Sequence, residues 1–184
     1  MALKSDLDLV EDFTGGEVEA FNELVRRYQE RVYWIARRIL GDHGEADDVT
    51  QDVFVRVYES LKNFRSDSRF YTWLYRIATN VSLNALKKKK TKLFASLEDS
   101  AMSMESESDG PLAELDRKEY RTMVEKAIER LPARQKLVFV LRYYEEMPYD
   151  EMAKILGRSE GGLKANYFHA VKKIQSFVQK EMGQ

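Results

Sequence analysis

Residues 64–84, FRSDSRFYTWLYRIATNVSLN, bring together five aromatic side chains, a basic loop and the amides of Asn80 and Asn84. From Arg65 to Lys90, seven basic side chains (Arg65, Arg69, Arg76, Lys87, Lys88, Lys89 and Lys90) stand against one acid, Asp67. Cations bind phosphates, flat rings stack on unpaired bases, and amides pair with base edges, so this set suits a single-stranded nucleic acid. The competing reading of the same residues is an amphipathic helix with a solvated lysine end. Other chemistry is thin. His43 and His169 lie in different halves of a chain with no cysteine, so no thiolate metal site, disulfide or catalytic triad is indicated. There is no Walker loop and no G-x-G-x-x-G. The chain has 31 acids, yet none sits in an apolar setting that would retune it for proton transfer. Glu45, Asp47, Asp48 and Asp52, without a clustered turn, make a poor Mg²⁺ or Ca²⁺ site. The expectation is a protein that is not an enzyme and needs no cofactor or metal.

At 184 residues, 43% hydrophobic and 33% charged, the chain is long enough for one domain or for two small ones, each with a core. No apolar run approaches the roughly 18 residues a membrane span requires, and the N-terminus lacks a signal-peptide core. No membrane insertion and a cytoplasmic home are therefore expected. The net charge of −1 conceals a segregation: residues 1–90 are neutral, 91–115 carry −5 and 116–184 carry +4. That sign pattern bears on nucleic-acid binding more than the average does.

The elements that must position these groups read as helices. After a cap and turn at Thr14-Gly15-Gly16-Glu17, Phe21, Leu24, Val25, Tyr28, Val32, Ile35, Ala36 and Ile39 form one apolar face, which Gly41 and Gly44 end. Arg26, Arg27, Arg31, Arg37 and Arg38 read as its solvated flank. A second helix is predicted over 45–61, with Val49, Val53, Phe54, Val57, Tyr58 and Leu61 inward. Acids in its first turns complement the helix dipole. Asp48 and Asp52, four apart with Gln51 beside them, also form an exposed stripe that a partner could use. A third helix starts near Phe70 or Tyr71. Its core face holds Leu74, Ile77, Ala78, Val81 and Ala85, while Asn80 and Asn84 share another face. Trp73 reads as core-packed rather than base-stacking.

Residues 92–115 show no sustained period and are rich in serine and acid, as a flexible, self-repelling linker would be. Beyond it, Val124, Ala127, Ile128 and Leu131 face inward on one helix, and Pro132 can open the next, carrying Leu137, Val138, Leu141 and Tyr144. From Tyr149, the residues Ala153, Gly157 and Leu163 occupy the fifth, ninth and fifteenth positions of a helix-turn-helix frame. There a small residue permits close crossing, a glycine makes the turn and an apolar residue seats the second helix. That second helix buries Leu163, Tyr167, Ala170, Val171, Ile174 and Val178. It presents Lys164, Asn166, His169, Lys172 and Lys173 outward, as a helix in a major groove would. An ordinary helical hairpin is the competing reading. The fold class expected is all-α, two small helical domains (1–90 and 116–184) joined by the acidic segment 91–115.

Three blocks carry a family resemblance: ADDVTQDVF at 46–54, residues 64–80, and LPARQ at 131–135 leading into the helix-turn-helix. In this order and spacing the chain resembles the extracytoplasmic-function sigma factors of the bacterial sigma-70 family, over nearly everything from Ala20 to Val178. The resemblance implies a region 2 bundle and a region 4 helix-turn-helix. It implies that Asp47, Asp48, Gln51, Asp52 and Phe54 dock on core RNA polymerase. Phe64, Arg65, Ser66, Asp67, Arg76, Asn80, Asn84, Lys87 and Lys88 would take the promoter minus-ten element as single strand, with a flipped base in the 64–71 loop. Arg158, Ser159, Glu160, Gly161, Gly162, Lys164, Ala165, Asn166, Phe168, His169 and Lys172 would read the minus-thirty-five duplex. An anti-sigma partner is implied as well. This chain departs from the family pattern S-V-G-T-V-K-S-R-L-H-R-A at 159–170: Gly162, Ala165 and Asn166 replace a hydroxyl, a hydroxyl and an arginine. The resemblance therefore implies where the reading helix lies, not which bases it contacts. Two other functions remain open on the residues alone, a self-sufficient helix-turn-helix regulator and an RNA-binding structural protein. The first has no need of the aromatic-basic stretch, and the second leaves the helix-turn-helix idle.

Overall fold

The computed structural model describes residues 4–64, 68–96 and 112–183, and every element among them is helical. The first, α1 (Asp6–Thr14), was not anticipated from the sequence. A capping box starts it: the Ser5 hydroxyl accepts from the Asp8 backbone N–H at 3.2 Å, and the Asp8 carboxylate accepts from the Ser5 N–H at 2.8 Å. Leu9, Val10 and Phe13 are its buried face. Phe13 meets Phe21 and Tyr58 at ring centroid distances of 5.6 and 5.2 Å, in tilted and edge-on geometry.

α2 (Val18–Leu40) buries Leu24, Val32, Ile35, Ala36 and Ile39 along the stripe read from the sequence. It stops at Gly41, whose φ of 79° is left-handed and lets its N–H reach the Arg37 carbonyl. α3 (His43–Ser60) begins two residues earlier than expected and contains Gly44. The Asp42 side chain caps it, accepting from the Glu45 N–H at 2.8 Å. After a 3₁₀ turn (Leu61–Asn63), α4 (Phe70–Ser96) packs against both α2 and α3.

In the second half, α5 (Leu112–Glu129) and α6 (Ala133–Phe139) pack on α8 (Glu160–Met182). α6 runs into a π-helical stretch, Val140–Tyr144, before α7 (Tyr149–Leu156). The expected flexible linker falls largely on 97–111, outside the described residues. Its flanks, 91–96 and 112–115, are helical.

The core is not divided at the domain boundary. Ala127, Ile128, Leu131, Phe139, Ala170, Ile174 and Val178 form one buried cluster inside the second half. Leu137, Val138, Leu141, Met147, Met152 and Ile155, by contrast, belong to the same buried cluster as the α1–α4 bundle. α7 packs on α4, and α6 with the π stretch packs on α2. The arginines read as a solvated flank take part. Arg27 pairs with Asp6 at 3.0 Å, and Arg38 lies 4.0 Å from the Tyr144 ring and 5.3 Å from that of Trp34. Lys136, buried, reaches the Ile39 carbonyl at 3.4 Å.

Phe13 is 5% exposed beneath α2, so Phe13→Ala is expected to cost about 3–5 kcal/mol in urea unfolding. A loss below about 1 kcal/mol would make α1 an appendage rather than part of the core.

Candidate nucleic-acid interface

α4 is amphipathic in an unusual sense. One side, with Leu74, Tyr75, Ala78, Val81 and Leu86, is buried in the bundle. Small polar residues deepen that side without leaving hydrogen-bonding groups unmet: Ser82 donates back to the Ala78 carbonyl at 2.8 Å and Thr79 to that of Arg76 at 3.1 Å. The other side carries Arg76, Asn80, Asn84, Lys87 and Lys88, all exposed. Spacings of four, four and three put Arg76, Asn80, Asn84 and Lys87 on one stripe, about 16 Å long at 1.5 Å per residue.

At the N-terminal end of that stripe three rings converge. Phe64 lies 6.0 Å from Phe70 and 5.3 Å from Trp73, and Phe70 lies 5.9 Å from Trp73, centroid to centroid. Tyr28 of α2 closes on Phe70 at 5.5 Å. Trp73 is half-buried against the core, in agreement with its reading as a packing residue. Arg65, Ser66 and Asp67 lie outside the described residues. The Arg69 carbonyl accepts from the N–H groups of Thr72 and Trp73, which anchors the loop to the first turn of α4.

On α3, Asp47, Asp48, Gln51 and Asp52 are exposed, while Phe54 is only 9% exposed. Phe54 is therefore corrected from a surface contact to a core residue: it lies next to Val53 on the buried side, as its own periodicity had indicated. Val55 and Tyr58 replace it on the outside, 56% and 47% exposed. Tyr58 had been expected inward. Val55 falls four residues after Gln51 and three after Asp52, so it extends the acidic stripe with an apolar contact. That spacing was available in the sequence and was overlooked.

In the helix-turn-helix, Gly157 has φ 61° and its N–H reaches the Ala153 carbonyl at 2.9 Å, while Leu163 is 2% exposed. All three frame positions behave as the spacing required. Ser159 caps α8 by accepting from the Gly162 N–H at 3.3 Å. Arg158, Glu160, Gly161, Gly162, Lys164, Ala165, Phe168, His169 and Lys172 are exposed, as the outward face predicts. Asn166 is half-buried, and its amide donates to the Gly162 carbonyl at 2.7 Å. Lys172 stands 4.6 Å over the exposed Phe168 ring.

Between the two halves, Glu145 is a half-buried carboxylate 3.5 Å from Arg38. Burial raises its pKa above the usual 4.5, and Arg38 opposes that shift. Burial also pushes the Tyr75 hydroxyl up to about 12, with the Glu145 charge as the second cause. Among the described residues no group of acids, histidines or cysteines could hold a metal ion, and no helix is long and apolar enough to cross a membrane.

Two family models match the chain, Sigma-70 region 2 over residues 24–92 and Sigma-70, region 4 over 121–174. The ECF RNA polymerase sigma-E factor of Escherichia coli K12 is 35% identical over 182 residues, covering 95% of each chain. The RNA polymerase sigma-H factor of Pseudomonas aeruginosa is 32% identical over 187 residues, covering 96% of this chain and 95% of the relative. The fold is similar to that of CnrH in complex with the cytosolic domain of CnrY (TM-score 0.71, 23% identity, covering 96% and 99% of the two chains). It is also similar to the sigma factor RpoE bound to the anti-sigma factor NepR from Bartonella quintana (TM-score 0.67, 19% identity, covering 86% and 96%).

Because the folded pKa of Glu145 is raised, its protonated form is the one the packing favours. Its contribution to stability is full below the free-carboxylate range and falls as pH rises through the raised value. Glu145→Gln removes that slope. The variant's advantage over the parent in urea unfolding is expected to grow from pH 4 to pH 7, and a constant difference would contradict the assignment.

Proposed function

Since the chain belongs to the sigma-70 family, in its extracytoplasmic-function group, we propose that α4 and its preceding loop take the minus-ten element as single strand. The chain is an alternative sigma factor, which binds core RNA polymerase and directs promoter-specific transcription initiation. The observation that carries the site reading is the exposed stripe of Arg76, Asn80, Asn84 and Lys87 on a helix whose opposite side is the bundle core. Backbone phosphates would run along the basic residues, and the amides of Asn80 and Asn84 would face base edges that are free only after melting. Unstacking a base costs a few kcal/mol, and the loop of Phe64, Arg65, Ser66 and Asp67 would return it by enclosing the flipped base. Lys88 adds phosphate charge at the downstream end.

On α3, Asp47, Asp48, Gln51 and Asp52 would dock on core polymerase, with Val55 as the apolar centre that such a contact needs. On α8, Arg158, Ser159, Glu160, Gly161, Gly162, Lys164, Ala165, Asn166, Phe168, His169 and Lys172 would lie along the minus-thirty-five major groove. The three small side chains there favour close backbone approach over hydrogen bonding. Residues 1–90 and 116–184 would be the functional domains and 91–115 the tether between them. We further propose a cytoplasmic location and an anti-sigma partner that holds the chain inactive, on the strength of relatives whose solved complexes contain one. If deleting the partner gene left the chain's promoters no more active in cells, that last proposal would fall.

The test is purified chain added to core RNA polymerase, scored for co-elution and for defined start sites on a mixed promoter pool. Absence of co-elution, with tight duplex binding by the chain alone, would make it an autonomous regulator instead. Asn80→Ala should lower promoter opening about tenfold, the effect of one lost base contact, and leave co-elution intact. Asp48→Arg combined with Asp52→Arg should weaken polymerase binding first, by about tenfold or more, since like charges would then face a surface built for acids. Equal loss of both activities in either variant would indicate misfolding and not the assigned role.

A further inference from the structure

Tyr28, Arg31, Trp34 and Arg38 recur every three or four residues along α2, beside its buried stripe, and so share one outer face of the helix. The turn after the π stretch closes over this face and leaves a trough with two adjoining recesses of about 210 and 450 Å³, which have Arg31, Glu145 and Glu146 as common walls. The larger lies within the roughly 300–1,000 Å³ typical of small-molecule sites. Rings supply much of the lining: Tyr28, Tyr71 and Tyr75 in the smaller recess, Trp34 and Tyr144 in the larger. Trp34 remains 41% exposed, although Arg38 stands 5.3 Å from its ring.

The charges in the trough are unevenly answered. Arg38 meets Glu145 at 3.5 Å, and Arg69 meets Glu151 at 3.6 Å, with the Tyr71 hydroxyl donating to the same carboxylate. Glu30 and Glu146, both exposed, have no cation partner among the described residues. Glu146 is held in the left-handed region at φ 51°, an uncommon and strained conformation for a residue with a side chain. In the smaller recess, Tyr75 is 3% exposed, and its buried hydroxyl makes no well-formed hydrogen bond, even with the neighbouring Arg31. An unmet buried hydroxyl is costly, and its oxygen can accept from an ammonium. Carboxylates beside ring faces attract organic cations. A divalent metal would need clustered oxygen ligands, and among the described residues no group of acids, histidines or cysteines could hold one.

We propose that this trough binds a linear aliphatic polyamine, with one ammonium between Glu30 and Glu146 beside the Trp34 ring and another donating to the Tyr75 hydroxyl oxygen. The methylenes between them lie along the tyrosine rings, as the stems of lysine side chains lie along apolar surface. Each ammonium has three donors, enough to meet its partners here and keep a bond to water. None of Glu30, Trp34, Tyr75 and Glu146 is among the residues placed on DNA or on polymerase, so the site stands or falls apart from those assignments.

The experiment titrates the full chain with spermidine at about 0.15 M ionic strength, reading affinity by calorimetry and by the rise in unfolding midpoint. Saturable binding of one spermidine per chain is expected, and propylamine, with a single ammonium, should bind at least about tenfold more weakly. Tyr75→Phe removes only the hydroxyl. It should weaken spermidine by about tenfold without lowering the stability of the free chain, because no internal bond is lost. Trp34→Ala, and Glu30→Gln combined with Glu146→Gln, should each weaken it by about fivefold. Glu181→Gln alters an exposed acid of α8 outside the trough and should leave affinity within about twofold. Four outcomes would each overturn the site: no saturable response in either readout, equal binding of propylamine, an equal loss in Glu181→Gln, or displacement by magnesium at constant ionic strength. The last two would make the amine a loosely held counterion. A less stable free Tyr75→Phe chain would show that the hydroxyl serves the fold and would overturn its role as an acceptor.

Discussion

Leu74, Ala78 and Val81, pressed against α2 and α3, set the rotation of α4 about its axis, and that rotation decides what the chain can present to a polymer of phosphates and bases. A turn of one residue along the helix would move every side chain by about 100°, carrying Asn80 and Asn84 toward the core and an apolar row into solvent. On the proposed reading of that face, the packing would be a source of specificity as much as of stability. Its polar neighbours support the same rotation: Thr79 and Ser82 satisfy their hydroxyls on the helix backbone, so they can be buried beside the apolar row without a partner from another element. α1 acts at one remove. By covering Phe21 and the turn after α3, it stiffens the wall from which the aromatic cluster at the start of α4 is built.

Much of this was legible because long helices repeat their signal. The α2 stripe extends over five turns, and the helix-turn-helix frame needs a small residue, a left-handed glycine and an apolar seat at fixed positions. Those demands leave few alternatives, and Ala153, Gly157 and Leu163 meet them. α1 escaped notice since its face is only Leu9, Val10 and Phe13, too few residues to establish a period. The Ser5–Asp8 capping pair was its one local signal. Phe54 shows a different failure: its periodicity pointed inward, while a family block drew it to the surface, and burial sided with the periodicity.

The packing of the two halves on each other was not legible at all. Leu137, Leu141, Met152 and Ile155 look alike in sequence whether they face their own domain or another. Arg31 and Arg38 sit at positions typical of a solvated flank, and nothing local reveals that Tyr144 and Glu145 will arrive from a hundred residues away. Long-range contacts of this kind depend on shape complementarity between finished surfaces, which periodicity does not encode. The π stretch belongs to the same category. It turns Tyr144 toward Arg38 by a local change in winding that no residue type announces.

The pairing of Arg69 with Glu151 and of Arg38 with Glu145 also bears on how such a molecule travels. A genome offers on the order of a million to a billion non-specific sites, and a protein with an open basic face spends its time adsorbed to them. Here Glu151 pairs with Arg69 at the edge of that face, Glu145 pairs with Arg38 between the two halves, and the overall charge is −1. Such pairing would lower partition onto bulk duplex, and a chain held off duplex would meet its large protein partner by three-dimensional diffusion before it meets DNA. The order of the two encounters would then be a property of the fold and not of the relative abundance of either target.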